Sequence, residues 1–171
     1  MRLAARRPEL LRSLTLMETT ADPEPAHHLP RYRLLTFVAR WLGTSFVREP
    51  AMKIMFGRTF MSDPARQAER ERWRRELSTV RRSIWRSIQG VISRAGVYEE
   101  LSRISLPTLI LVGEEDTATT PEEAERMHAA ISSSRLIRMP RCGHTSTLEN
   151  PEAVNTALLS LLDPLSLSQS A

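Results

Sequence analysis

The chain has 171 residues, 41% hydrophobic and 26% charged, with a net charge of +4 and an isoelectric point near 10.1. That composition suits one globular domain and excludes a disordered chain. A single cysteine, Cys142, excludes an intramolecular disulfide and a zinc site built on cysteine pairs, and no apolar run approaches the ~20 residues of a membrane-spanning helix.

The first residues, "MRLAARR", predict the last turns of a helix stopped by Pro8. An Arg-rich leader is the competing reading of this start. Glu9 and Arg12 interrupt it and no small-residue cleavage pattern follows, so no signal peptide is expected. In "LLRSLTLM", Leu14 and Leu16 alternate with Ser13 and Thr15, which predicts a short strand ending at Glu18 and Thr19. Pro23, Pro25 and Pro30 then mark an irregular linker, and "RYRLLTFVARWLG" predicts an amphipathic helix closed by Gly43. "REPAMKIMFGRTFMSDP" is rich in Met and Phe, with breakers at both ends. The longest predicted helix spans 64–96, begins at the Asp63–Pro64 pair, and carries one stripe of Trp73, Leu77, Val80, Ile84, Ile88 and Val91.

After residue 97 the pattern changes. "LPTLILVG" is a continuous apolar run of strand length, as in a parallel sheet covered on both faces. "PEEAERMHAAI" predicts a helix, "SRLIRMP" a strand, and "NPEAVNTALLSLL" a closing helix capped by Asn150. Strands alternating with helices predict a parallel α/β sheet. The expected organisation is a core segment at 1–21, a helical insert at 22–97, an α/β segment at 98–165 and a frayed tail at 166–171.

Active sites of open α/β sheets lie at the carboxyl ends of the strands. Two loops here occupy such ends. "GEEDTATTP" carries Glu114, Glu115 and Asp116, and "RCGHTST" carries His144. A histidine in a turn can be a cap, a surface residue or a base. With a carboxylate brought to the same edge of the sheet, it becomes a candidate general base.

Together, "LPTLILVGEEDTATTPEEAERMHAAI" and "RLIRMPRCGHTSTLENPEAVNTALLSLL" resemble the C-terminal part of the α/β-hydrolase superfamily. There the catalytic acid follows a "P-T-apolar-apolar-apolar-x-G-x-x-D" strand, and the catalytic His sits in a "G-H" turn before the last helix. Asp116 and His144 fall on those positions, in the family's order of Ser, acid, His. Glu18, after the first strand, is the alternative acid. The resemblance implies an α/β fold with parallel strands, flanking helices and a helical cap at 22–97. It also implies hydrolysis of an ester, lactone or related small acyl substrate by a Ser-Asp-His triad, with no metal or organic cofactor.

No G-x-S-x-G nucleophile elbow occurs in the 171 residues. By the resemblance, Met1 falls in the helix after the elbow, so the chain is expected to be the C-terminal half of such a fold. It would then be inactive as given, poorly stable alone, and in need of the N-terminal half or of a homo-oligomeric partner. The competing reading is an inactive fragment or a non-catalytic binding module.

Other candidates have plainer readings. Met52, Met55, Phe56 and Phe60 line an acyl pocket or simply form the core of the cap; the sequence leaves both open. Cys142, on the same turn as His144, is expected to fill space rather than attack. His27 and His28 lack an acid cluster and predict a surface linker, not a metal site, and His128 is expected to face solvent. The positive charge is almost all arginine, with Lys53 the one lysine, and the arginines alternate with glutamates. A solvated face, with neither nucleic acid nor membrane as partner, is the expectation. A cytoplasmic location is expected from the reduced cysteine.

Overall fold

In the computed structural model, which describes residues 1–167, three parallel strands form one sheet in the order β1 (Leu14–Met17), β2 (Thr108–Gly113), β3 (Ser134–Met139). Leu16 aligns with Ile110 and Ile110 with Leu136, so the carboxyl ends of β2 and β3 fall at one edge. Every residue of β2 is buried. Its alternation sends Ile110 and Val112 to one face and Leu109 and Leu111 to the other.

The first face is covered by α1 (Arg2–Arg6) and α7 (Pro121–Ala130). Ala4, Ala5, Ala124, Met127 and Ile131 meet Leu16, Ile110 and Val112 there, with Leu101 and Ile104 from the preceding turn. The second face is covered by α9 (Pro151–Leu167) through Val154 and Ala157. Helix starts follow from the sequence. Thr120 and Glu123 form a reciprocal capping box at α7, and the Asn150 side chain accepts from the Ala153 N–H at 3.2 Å. Of the expected tail, 166 and 167 belong to α9 and 168–171 lie outside the described residues.

Between β1 and β2 stand α2 (Leu29–Trp41), α3 (Arg48–Met55), α4 (Arg58–Ser62), α5 (Gln67–Thr79) and α6 (Ile84–Ile92). The expected single helix over 64–96 is therefore incorrect: it is a turn at Pro64–Arg66 followed by two helices. The break has a local cause. Ser78, Thr79 and Val80 are weak helix formers, and Val80 turns extended at φ −56°, ψ 135°. The Thr44 hydroxyl donates to the freed carbonyls of Ser78 (3.1 Å) and Val80 (3.0 Å), and Arg82 donates to the Trp41 carbonyl at 3.1 Å. The apolar stripe is split accordingly. Trp73 and Leu77 pack on Met52, Phe56 and Phe60, while Ile88 and Val91 face a cavity next to the sheet.

Candidate active site

The loop after β2 and the loop after β3 are joined through their backbones. Glu114 N–H donates to the Met139 carbonyl (3.0 Å) and Glu115 N–H to the Cys142 carbonyl (2.8 Å). Such closeness leaves no room for side chains. A Cβ on Gly113 would lie 2.2 Å from the Gly143 carbonyl oxygen, and one on Gly143 would lie 2.3 Å from the Gly57 nitrogen of the helical insert. The Gly before His144 is thus demanded by a third backbone, that of the α3–α4 corner, packed against the turn.

These loops bring Asp116 and His144 together. His144 Nδ1 lies 2.8 Å from Asp116 Oδ2, with the Asp116 side chain fully buried and that of His144 24% exposed. Asp116 accepts further bonds from the N–H groups of Ala118 (2.8 Å) and Thr119 (3.0 Å) and from the Thr119 hydroxyl (2.9 Å). A carboxylate held by this many donors has a fixed orientation and presents an acceptor to the imidazole. It assigns the proton of a neutral His144 to Nδ1, which leaves a lone pair on Nε2. Burial alone would lower the His144 pKa, but the hydrogen bond and charge of Asp116, with the charge of Glu18, outweigh it and raise the pKa above its ordinary 6.5.

Glu18 stands at the end of β1 with φ at +39°, in the left-handed region that a non-glycine residue seldom adopts. It accepts a short hydrogen bond from the buried Ser146 hydroxyl, two residues after His144. Burial pushes its carboxyl up to about 7, against the lowering effects of Ser146 and His144. Asp116, not Glu18, makes the bond to the imidazole.

Both Glu18 and His144 line a cavity of about 430 Å³ between the sheet edge and the insert. Its far wall is aliphatic, with Leu35, Val47, Ile54, Met55 and Ile88, while Glu24, Tyr32 and Arg94 add polar groups. Of the four expected pocket residues only Met55 lines it. Met52, Phe56 and Phe60 are buried in their own cluster, with the Phe56 and Phe60 rings stacked at 4.4 Å, so the sequence expectation is corrected for those three. The lining on α2 and α6 was missed, although its spacing carried a signal. Tyr32, Leu35 and Ala39 recur at intervals of three and four, on one face of α2. Arg94 and Glu24 left no such signal, because a linker and a helix end bring them together (3.5 Å).

The remaining candidates take the plainer readings. Cys142 is buried, and burial pushes its thiol up to about 11, which keeps it protonated and unreactive. His28 Nδ1 lies 3.0 Å from Glu24 Oε1, and His128 is exposed beside Ser134. Among the described residues no group of three or more metal-ligating side chains comes together, and no helix is long and apolar enough to cross a membrane.

A parallel sheet whose acid and histidine loops meet at its carboxyl edge, below inserted helices, defines a class. Residues 2–157 match the Alpha/beta hydrolase family, and the chain belongs to it. A thermophilic esterase from Thermogutta terrifontis is similar in structure, with a TM-score of 0.83 and 25% identity over 95% of this chain and 59% of that one. The enol-lactonase from Burkholderia xenovorans shares the fold, with a TM-score of 0.80 and 20% identity over 94% of this chain and 60% of that one. Among curated proteins, a proline iminopeptidase of Thermoplasma volcanium is 35% identical over 77 residues, which is 45% of this chain and 26% of the relative. The uncharacterized hydrolase YugF of Bacillus subtilis is 23% identical over 161 residues, 89% of this chain and 56% of the relative. The chain thus spans well under two thirds of each relative's length.

Proposed function

We propose that these residues supply the acid, the base and the substrate-covering cap of a serine-type hydrolase acting on an ester, lactone or related small acyl substrate. The observation that carries this reading is the 2.8 Å pair of Asp116 and His144, at the carboxyl ends of adjacent parallel strands and facing the cavity. A serine from outside the 171 residues attacks the substrate carbonyl, and His144 Nε2 takes its proton. The ring becomes an imidazolium, stabilised by Asp116 on Nδ1. As the carbon–oxygen bond of the tetrahedral intermediate breaks, the same proton passes to the leaving alcohol. Water then repeats the sequence on the acyl-enzyme, which releases the acid and restores the serine. The mechanism calls for no metal or organic cofactor. The aliphatic wall suits the hydrocarbon part of the substrate, and a cytoplasmic setting is part of this reading.

The test joins this chain to the N-terminal part of the Thermogutta esterase in place of that enzyme's own C-terminal part, and follows a chromogenic ester. In the folded chimera, His144→Ala is expected to lower turnover more than about a thousandfold, and Asp116→Asn roughly ten-thousandfold. A folded, active chimera indifferent to His144→Ala refutes the assignment. A second reading is favoured by the lack of G-x-S-x-G: the chain as given is a non-catalytic module that binds the same ligands, alone, as a homo-oligomer or with an N-terminal half. The outer edge of β1, unpaired among the described residues, suits such a partner. On either reading the 171 residues alone turn over no ester in a manner that depends on His144.

A further inference from the structure

Glu149 ends the one-turn helix α8 (Ser146–Glu149) and is 8% exposed. A buried carboxylate at the negative end of a helix is costly unless donors surround it. Three do. Its Oε1 lies 3.0 Å from the Gly143 nitrogen and 3.0 Å from the Thr145 hydroxyl, the residues on either side of His144; the one proton of that hydroxyl is shared with the Met55 carbonyl of the insert at 2.9 Å. Its Oε2 accepts from Gly57 N–H at 2.9 Å, in the α3–α4 corner of the insert. Arg66, also from the insert, donates to the carbonyls of Glu149 (2.8 Å) and Leu148 (3.1 Å), which ends α8 and brings a cation near the carboxylate. A second tie holds the same corner through a side chain that makes no bond to the histidine turn: the Glu115 carboxylate accepts from the Thr59 N–H and hydroxyl, both at 2.6 Å.

From this arrangement we infer that Glu149 is a positioning residue for His144: one carboxylate clamps the turn on both sides of the base and fastens it to the insert. The same carboxylate that steadies the base thus also holds the insert that covers the substrate, and it does so apart from the other ties of that corner. The inference rests on the reading of His144 as the base. Its test reads ring geometry rather than turnover, so the two can fail separately.

The experiment uses the full chain and nuclear magnetic resonance. It follows the downfield Nδ1–H signal of His144 together with amide exchange at Gly57 and Gly143. Glu149→Gln keeps the shape but turns one acceptor into a donor facing an N–H. Exchange at Gly57 and Gly143 is expected to rise together about tenfold or more, and the Nδ1–H signal to weaken or move upfield. Thr59→Val removes the hydroxyl bond of the second tie and keeps its backbone N–H bond; it should speed exchange at the insert corner while leaving the Nδ1–H signal in place. A folded Glu149→Gln protein with an unchanged signal overturns the proposal, as does a Thr59→Val protein that loses the signal equally. If Glu149→Gln does not fold, Thr145→Val removes the hydroxyl shared by Glu149 and the Met55 carbonyl and is expected to shift the signal in the same direction. An unshifted signal there is equally adverse. A chain without the signal before any substitution removes the Asp116–His144 pairing itself, and the proposal with it.

Discussion

The two sides of the helical insert are held in different ways. The α3–α5 side has its own core in Met52, Phe56 and Phe60, backed by Trp73 and Leu77, and Glu115, Glu149 and Arg66 fasten it to the acid and histidine loops. The α2–α6 side shares the cavity wall with Val47, Ala51, Ile54 and Met55 of the other side, and leaves Leu34, Phe37, Trp41 and Val91 exposed. One side is an anchor and the other a cover. Substitutions should therefore be punished on the first and tolerated on the second, even for the same residue type.

Glycine gives the sharpest version of that contrast. Gly143→Ala places a methyl group 2.3 Å from the Gly57 nitrogen and 2.7 Å from the Phe56 carbonyl carbon, backbone atoms that no rotamer change can clear. It is expected to cost about 3 kcal/mol or more, read as a lower midpoint in urea unfolding. A variant with unchanged stability would break the picture of an anchored corner.

A smaller effect is expected at the sheet edge between the two sides. Glu18 has a folded pKa of about 7 against an ordinary 4.5, so the folded state binds its proton more tightly than the unfolded one. Stability from this group is therefore full below about pH 4.5 and is lost as the pH rises to about 7. Glu18→Gln removes the buried charge. It should raise the melting temperature at about pH 8, and the gain should shrink toward nothing near pH 4. His144 works in the same direction at higher pH. Its raised pKa contributes stability that is present below 6.5 and lost as the pH rises through the folded value. A gain from Glu18→Gln that is largest in acid would contradict the burial of that carboxyl.

The smallest effect belongs to the cover. Gly90 lies in α6, and a Cβ there meets nothing within 4 Å. Gly90→Ala is expected to stabilise the chain by about 0.5–1 kcal/mol through helix propensity alone. Destabilisation would mean that α6 packs more tightly than an open cavity wall does.

The same division separates what the sequence makes legible from what it hides. β2 announces itself because a strand covered on both faces must be apolar at every position, and its partner β3 brings the two loops to one edge by topology. Asp116 and His144 were readable for that reason. The insert was harder. A helical stripe continues in phase across 80–83, and periodicity does not register that Thr44, brought in by tertiary contact, takes the backbone carbonyls at the break while Arg82 reaches out to the Trp41 carbonyl. Met52, Phe56 and Phe60 were ambiguous because a pocket wall and a small core draw on the same residue types. Glu149 left almost no mark, since its donors are two backbone N–H groups and a hydroxyl that only folding assembles.

The most direct measurement is the titration of the His144 ring by nuclear magnetic resonance, in the chain as given and in Asp116→Asn. A buried carboxylate on Nδ1 predicts a midpoint above 6.5 that falls when Asp116 loses its charge. A midpoint at the ordinary value, the same in both proteins, would contradict the pairing on which the functional reading stands.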